Sequence, residues 1–260
     1  MSALLWPLLS VWLVSALAMS VVWWIQRRTG NAGYVDVAWS ALLGFAALWY
    51  GLVAEGAWLP RVLVAVLAAT WGFRLALHLL HRVVSEPEDG RYAHLRAHWQ
   101  GHQGKFFAFF QAQALAVALF SLPFLVAAGN PVPTPTPWLV AGVLVWLISL
   151  AGESLADWQL ARFRADPRNR GKTCRAGLWN YSRHPNYFFE WTHWFAYVLL
   201  AIGAPHAWLA LIGPALMLTT LLWVSGIPFV EAQSLRSRGD DYREYQRTTS
   251  MLVPWFPKSP

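Results

Sequence analysis

Charge is scarce in this chain. Lys, Arg, Asp and Glu make up only 13% of its 260 residues, against roughly 25% in soluble domains. Cysteine is scarcer still: Cys174 stands alone, so no internal disulfide exists. No Cys/His set has zinc-site spacing, and no metal site is expected. The alternation that marks strands is also missing, since apolar residues fall in long runs. The net charge of +7 comes without a nucleic-acid-binding motif, which argues against nucleic acid as a partner. No basic residue precedes the first apolar run and no small-residue cleavage site follows it. That run is therefore expected to be a retained helix and not a signal peptide.

What is present is hydrocarbon: 57% of the residues are hydrophobic and 18 are tryptophan. Runs of about 20 apolar residues suit helices that cross a bilayer. The expectation is an all-α, polytopic membrane protein with seven transmembrane helices, near Leu4–Ile25, Tyr34–Val53, Pro60–Leu80, Phe106–Ala127, Trp138–Leu160, Tyr187–Ile202 and Trp208–Phe229. One integral domain, 1–260, is expected, with a front half of four spans (1–130) and a motif-bearing half (136–260) joined by the Pro-rich stretch Asn130–Pro137. Under this topology, 18 of the 20 Lys and Arg residues fall on one side. The positive-inside rule then puts the N-terminus outside and the C-terminus in the cytoplasm.

The acids in or beside the spans (Asp36, Glu153, Asp157, Glu190 and Glu231) sort to the cytosolic ends, which predicts a polar cavity open to that side. Glu153 and Asp157, at i, i+4, share a helical face. They suit hydrogen bonds from a ribose or an amide, with an ion pair to Arg74 or Arg162 as the structural alternative. Arg170, Lys172, Arg175 and Arg183 lie within fourteen residues, and such cations suit phosphate. Tyr181, Asn186 and Tyr187 add neutral donors, and Asn186 is a candidate helix cap. Asn186, Glu190, His193 and Trp194 then share one face of the following helix. His78 and His81 give the third span a polar stripe without a carboxylate to complete a metal set. Arg91–Trp99 reads as a short interfacial helix.

Three segments carry a family resemblance: Glu153-x-x-x-Asp157, then Gly177-Leu-x-x-Tyr181-Ser-Arg-His-Pro-Asn186-Tyr-Phe-x-Glu190, then Asp241-Tyr242-x-x-Tyr245-Gln-x-Thr-x-x-Met-x-x-Pro254. Together they resemble the steroid 5-alpha reductase superfamily. The front half, with Asn31-Ala-Gly-Tyr34-Val-Asp36-Val-Ala-Trp39 and Arg91-Tyr92-x-x-Leu95-Arg96, is similar to a bacterial branch of it. The resemblance implies a seven-helix enzyme in a bacterial inner membrane. It also implies NADPH bound in the cytosolic half and hydride delivery to the carbon–carbon double bond of a hydrophobic enone lipid. Carried onto this sequence, it matches Asp157, Asn186 and Glu190 to cofactor or active-site positions, with Lys172 where the family has Arg near the phosphates and Glu153 where steroid reductases have Asn. Joined with the cation and donor readings above, the expected cofactor-binding set is Glu153, Asp157, Arg170, Lys172, Tyr181, Arg183, His184, Asn186, Tyr187 and Tyr242. Glu190 becomes the group that polarises the substrate, with Asp36 and Tyr34 as alternatives. Leu79 stands where the family has a substrate-side tyrosine, and Ser225–Glu231 replaces its His-rich stretch.

The Arg-His-Pro-x-Tyr segment and the tail also resemble isoprenylcysteine and phospholipid methyltransferases, which implies S-adenosylmethionine as the alternative cofactor. A non-catalytic lipid-binding protein is the third reading.

Overall fold

The protein is described by a computed structural model covering residues 2–224 and 226–258. Among these residues all regular structure is helical. The helices are α1 (Ser2–Thr29), α2 (Tyr34–Val53), α3 (Trp58–Ser85), α4 (Gly90–His98), α5 (Gln103–Ala128), α6 (Pro137–Ala165), α7 (Pro185–Leu200), α8 (Ile212–Thr219), α9 (Ile227–Arg238) and α10 (Asp240–Thr248).

Among the described residues six segments are long and apolar enough to cross a membrane: α1, α2, α3, α5, α6 and Ala207–Arg238. The chain is thus an integral, multi-pass membrane protein. The expected sixth span is α7, which has 16 residues, or about 24 Å of helix. The hydrocarbon core is about 30 Å thick, so length alone does not make α7 a span. The expected last span is not one α-helix. A 3-10 turn at Ala207–Leu211 leads into α8, a wide turn covers Thr220–Val224, and α9 starts anew at Ile227. Pro228 at the second position of α9 has no N–H to offer a continuous helix. A Cβ on Gly226 would lie 2.6 Å from the Leu221 carbonyl oxygen, so the reversal needs glycine. Ser225, within the stretch that departs from the family pattern, lies outside the described residues.

The chain forms two compact units. The first is Met1–Val143 with Tyr197–Gly213, and the second is Leu144–Ala196 with Pro214–Pro260. In the first unit α2 and α3 approach most closely where small residues meet. A Cβ on Gly72 would sit 2.8 Å from both the Gly44 nitrogen and the Ser40 carbonyl oxygen. Such small-residue contacts replace the hydrophobic drive that lipid does not supply. α5 is the central post, with every residue from Ser121 to Ala128 buried. Its Ser121 hydroxyl meets the Tyr50 phenol at 2.9 Å, and Phe124 packs edge-on to Tyr197 at 4.5 Å. Beyond α5, buried Asn130 donates to the carbonyls of Leu200 and Ile202 at 2.9 and 3.0 Å, and its own carbonyl accepts from Ala57.

The expected interfacial helix is α4. Asp89 caps it by accepting from the Arg91 amide at 2.9 Å. The Tyr92 hydroxyl donates to Asp36 at 2.6 Å and Arg91 donates to the other Asp36 oxygen at 3.0 Å, which pins α4 to the start of α2. Glu88 accepts from Arg96 and from the Ala32 amide, each at 2.7 Å. Burial raises the Asp89 carboxyl, but its Arg91 bonds outweigh this and hold it below its usual value. Burial, together with the Asp36 charge, keeps the Tyr92 phenol well above 10, so it stays a donor.

In the second unit α6 and α7 pack closely, with Gly152 against the Phe189 ring. A Cβ there would lie 2.4 Å from that ring. The loop between them is tied back to α6, since Trp179 donates to the Ala156 carbonyl and the Leu178 amide to Gln159, both at 2.9 Å.

Candidate functional site

The second unit holds most of the residues singled out from the sequence. On α6, Glu153, Asp157, Leu160 and Arg164 fall at i, i+4, i+7 and i+11, one stripe of the helix. Glu153 is buried. Asp157 accepts from the Asn186 side-chain amide at 3.0 Å. That bond joins α6 to the first turn of α7, which starts at Pro185, one residue before Asn186. Asn186 is therefore inside the helix and does not cap it from outside, although its Oδ1 does accept the Tyr187 amide at 3.0 Å. Glu190 follows one turn later on α7 and is half-buried.

The cations divide into two groups. Arg183 is 10% exposed and donates to Glu231 at 2.6 Å and to the carbonyls of Gln246 and Thr249 at 3.1 and 2.7 Å. Arg175 is held by Asp241 and Glu244 at 3.0 and 3.1 Å. Both are occupied by protein partners, unlike the phosphate ligands that the spacing suggested. Arg170 and Lys172 instead line a cleft of about 430 Å³ with Arg164 and Arg238, and Asp166, Gly171 and Cys174 are also in its lining. Burial pushes the Cys174 thiol up, so it faces these cations as a neutral group. Arg164 and Arg238 were not among the sequence candidates. Arg164 was within reach, because it stands seven residues after Asp157 on one helix face. Arg238 comes from α9 and carries no such mark.

Glu231 is the hub of this unit. Besides Arg183 it meets His184 Nε2 at 3.2 Å, the Tyr242 hydroxyl at 3.4 Å and the Gln246 amide at 2.8 Å. Burial depresses His184 below its usual value of 6.5 despite the Glu231 bond. The ring is therefore neutral at pH 7, and Nε2 carries the proton it donates. Burial and the Glu231 charge push the Tyr242 phenol up to about 12. Tyr187 stacks on the His184 ring at 5.5 Å, while Tyr181 is exposed and meets Phe256 edge-on. His184 and Tyr242 thus belong to the Glu231 hub. The sequence marked Glu231 as one acid of five and gave it no role.

The segment after α10 straps this loop. The Arg183 amide donates to Ser250 O, the Trp255 amide to Tyr181 O, and the Ser182 hydroxyl to Leu252 O at 2.7 Å. The Tyr245 hydroxyl donates to the carbonyls of Trp179 and Ser182.

Asp36 and Tyr34 belong to the first unit. Asp36 accepts from Tyr92 and Arg91 as described, and Tyr34 opens α2 half-buried. Among the described residues no cluster of three or more His, Cys, Asp or Glu is arranged to hold a metal ion.

No curated protein matches the chain. A family model described as a protein of unknown function, DUF1295, matches residues 22–249. That family stands in the steroid 5-alpha reductase-like group. The match takes in α2 through α10, with the cationic cleft and the Glu231 hub, and the chain belongs to the DUF1295 family.

Proposed function

We propose that this protein is a membrane-embedded reductase that uses NADPH to saturate a carbon–carbon double bond in a hydrophobic enone lipid. One observation carries the reading. Four cationic side chains, Arg164, Arg170, Lys172 and Arg238, line one cleft at the end of the α6 stripe that bears Glu153 and Asp157. The donor set fits a phosphorylated dinucleotide: guanidinium forks match phosphate oxygens, and the lysine adds a point charge. S-adenosylmethionine has one carboxylate and no phosphate, so it matches a four-cation cleft less well than a phosphorylated dinucleotide does.

Bound NADPH would supply hydride to the β-carbon of the enone. The chain's own residues supply the rest. Arg170, Lys172, Arg164 and Arg238 hold phosphate. Asp157, with its Asn186 partner, and Glu153 offer oxygens to ribose hydroxyls or an amide. A protonated Glu190, carried on α7, would donate a hydrogen bond to the enone oxygen as charge builds there and keep its proton, so that a single proton from the water side is needed. A proton reaching the α-carbon completes the balance.

In this reading α7 is a seventh span. Its start lies beside Arg183 in the Glu231 hub, and its end is held by Asn130 at the opposite end of the helix. With seven spans, the basic loops lie in the cytoplasm of a bacterial inner membrane, and the cleft opens to that side.

Thermal-shift titration of the detergent-purified protein with NADPH, NADH and S-adenosylmethionine tests the proposal. NADPH is expected to stabilise most, by about 2.7 kcal/mol at a hundredfold excess over Kd. Lys172→Ala and Arg238→Ala should each weaken it about tenfold, the loss of one charge-assisted contact. Glu190→Gln should keep NADPH binding and lose turnover of an enone lipid. Stabilisation by S-adenosylmethionine alone would overturn the reductase reading.

A further inference from the structure

Midway along α6, Trp146 and Ser149 are 5% and 1% exposed, yet neither the indole Nε1 nor the hydroxyl Oγ has a hydrogen-bond partner. The two residues stand at i, i+3 on one face, and Glu153, 8% exposed, continues that face one turn on. Polar groups buried in hydrocarbon without partners are costly, and folded proteins retain few of them. Two such groups one turn apart, inside a membrane-crossing helix, mark a place where a ligand atom completes the structure.

The chemistry of the pair selects that atom. Indole N–H donates only, and the serine hydroxyl can donate as well. Side chains at i, i+3 stand about 5–6 Å apart at Cβ, close enough for two donors to share one oxygen. α6 and α7 run antiparallel where Asp157 meets Asn186 and Gly152 meets Phe189.

We infer that this is where the polar end of the lipid substrate docks, with its single oxygen accepting from Trp146 Nε1 and Ser149 Oγ. Naming that oxygen as the enone carbonyl rests on the reductase reading, in which Trp146 and Ser149 hold the neutral carbonyl and Glu190 adds a third bond only as enolate charge builds; the docking itself does not rest on it. The phosphate-suited cleft lies further along α6, toward its C-terminus. The substrate oxygen is thereby assigned to the membrane interior and the cofactor's charges to the water side. Substrates of this site are long, apolar molecules with one acceptor oxygen at the end that enters.

The test uses the full chain in nanodiscs with a long-chain enone carrying a 13C-labelled carbonyl, read by infrared difference spectroscopy. In the wild type the carbonyl band is expected to shift to lower frequency on binding. The shift should shrink in Ser149→Ala and in Trp146→Phe and vanish in the double variant. Enone affinity should fall about two- to tenfold for each donor removed. A hydrocarbon of the same length without the oxygen should bind wild type and double variant equally. Ser149→Ala removes one atom and keeps the test readable should Trp146→Phe not fold. An unshifted wild-type band, or equal enone affinity in wild type and double variant, overturns the inference. So does a shift that survives both substitutions, which would assign the pair to trapped water. Thermal shifts with NADPH are run on the same samples. A carbonyl shift without NADPH stabilisation would sink the reductase and leave the docking site standing, while the reverse would sink only the docking site.

Discussion

Glu231 and its four donors show how a single carboxylate organises the loop before α7. Its side chain is 14% exposed and that of Arg183 10%, so removing the guanidinium strands a charge that water barely reaches. Arg183→Ala is therefore expected to cost about 3 kcal/mol of stability, read as a lowered Tm with no specific loss of NADPH affinity. Arg183→Lys should rescue little, because one ammonium cannot reach Glu231, Gln246 O and Thr249 O together. His184 adds a pH dependence. Its folded value lies below 6.5 because it is buried, with Glu231 opposing that shift and Arg183 reinforcing it. Protons thus bind the unfolded chain more readily, and the stability His184 contributes is complete above 6.5 and lost as pH falls toward its lower folded value. Tm measured from pH 8 to pH 5 should decline below about pH 6.5, and His184→Gln should flatten that part of the decline.

Two glycines set helix approach, and they differ in what they face. The space beside Gly72 is backbone, Gly44 N and Ser40 O, which cannot swing aside. Gly152 faces the ring of Phe189. Overpacking typically costs about 1–3 kcal/mol. Gly72→Ala is expected at the top of that range and Gly152→Ala lower. Phe189→Leu should partly restore Gly152→Ala in a double-mutant cycle and leave Gly72→Ala unchanged. The helices themselves were legible in the sequence, since α2 coincides with its expected span and α1, α3, α5 and α6 extend past theirs by a few residues at one or both ends. Membrane helices are written in local hydropathy, and their ends in nearby arginines. The pairing inside the site was not legible for the converse reason. Arg183 meets Glu231 forty-eight residues away, and nothing local separates a cation meant for a carboxylate from one meant for a phosphate. Arg170 and Lys172 line a cleft, while Arg175 and Arg183 bond carboxylates.

For the whole molecule the open question is parity. Among the described residues six segments meet the length and apolarity that a crossing needs, and the proposed crossing of α7 would make seven. Reporter fusions at Thr134 are expected on the external side, and fusions at Arg168 and Lys258 in the cytoplasm. Arg168 and Lys258 on opposite sides would remove α7 from the membrane and with it the polarising role given to Glu190. The strap over the Arg183 loop also imposes an order in time. Arg183 bonds Thr249, sixty-six residues later in the chain, and Ser182 bonds Leu252, seventy residues later. A ribosome that has just delivered the loop to the membrane cannot yet supply either partner. The nascent protein must carry its arginine and its buried serine unsatisfied through the synthesis of α7, α8, α9 and α10. Assembly of this region is consequently a late event in biogenesis, and a polypeptide stalled anywhere between α7 and α10 should present an open, protease-sensitive loop until translation resumes.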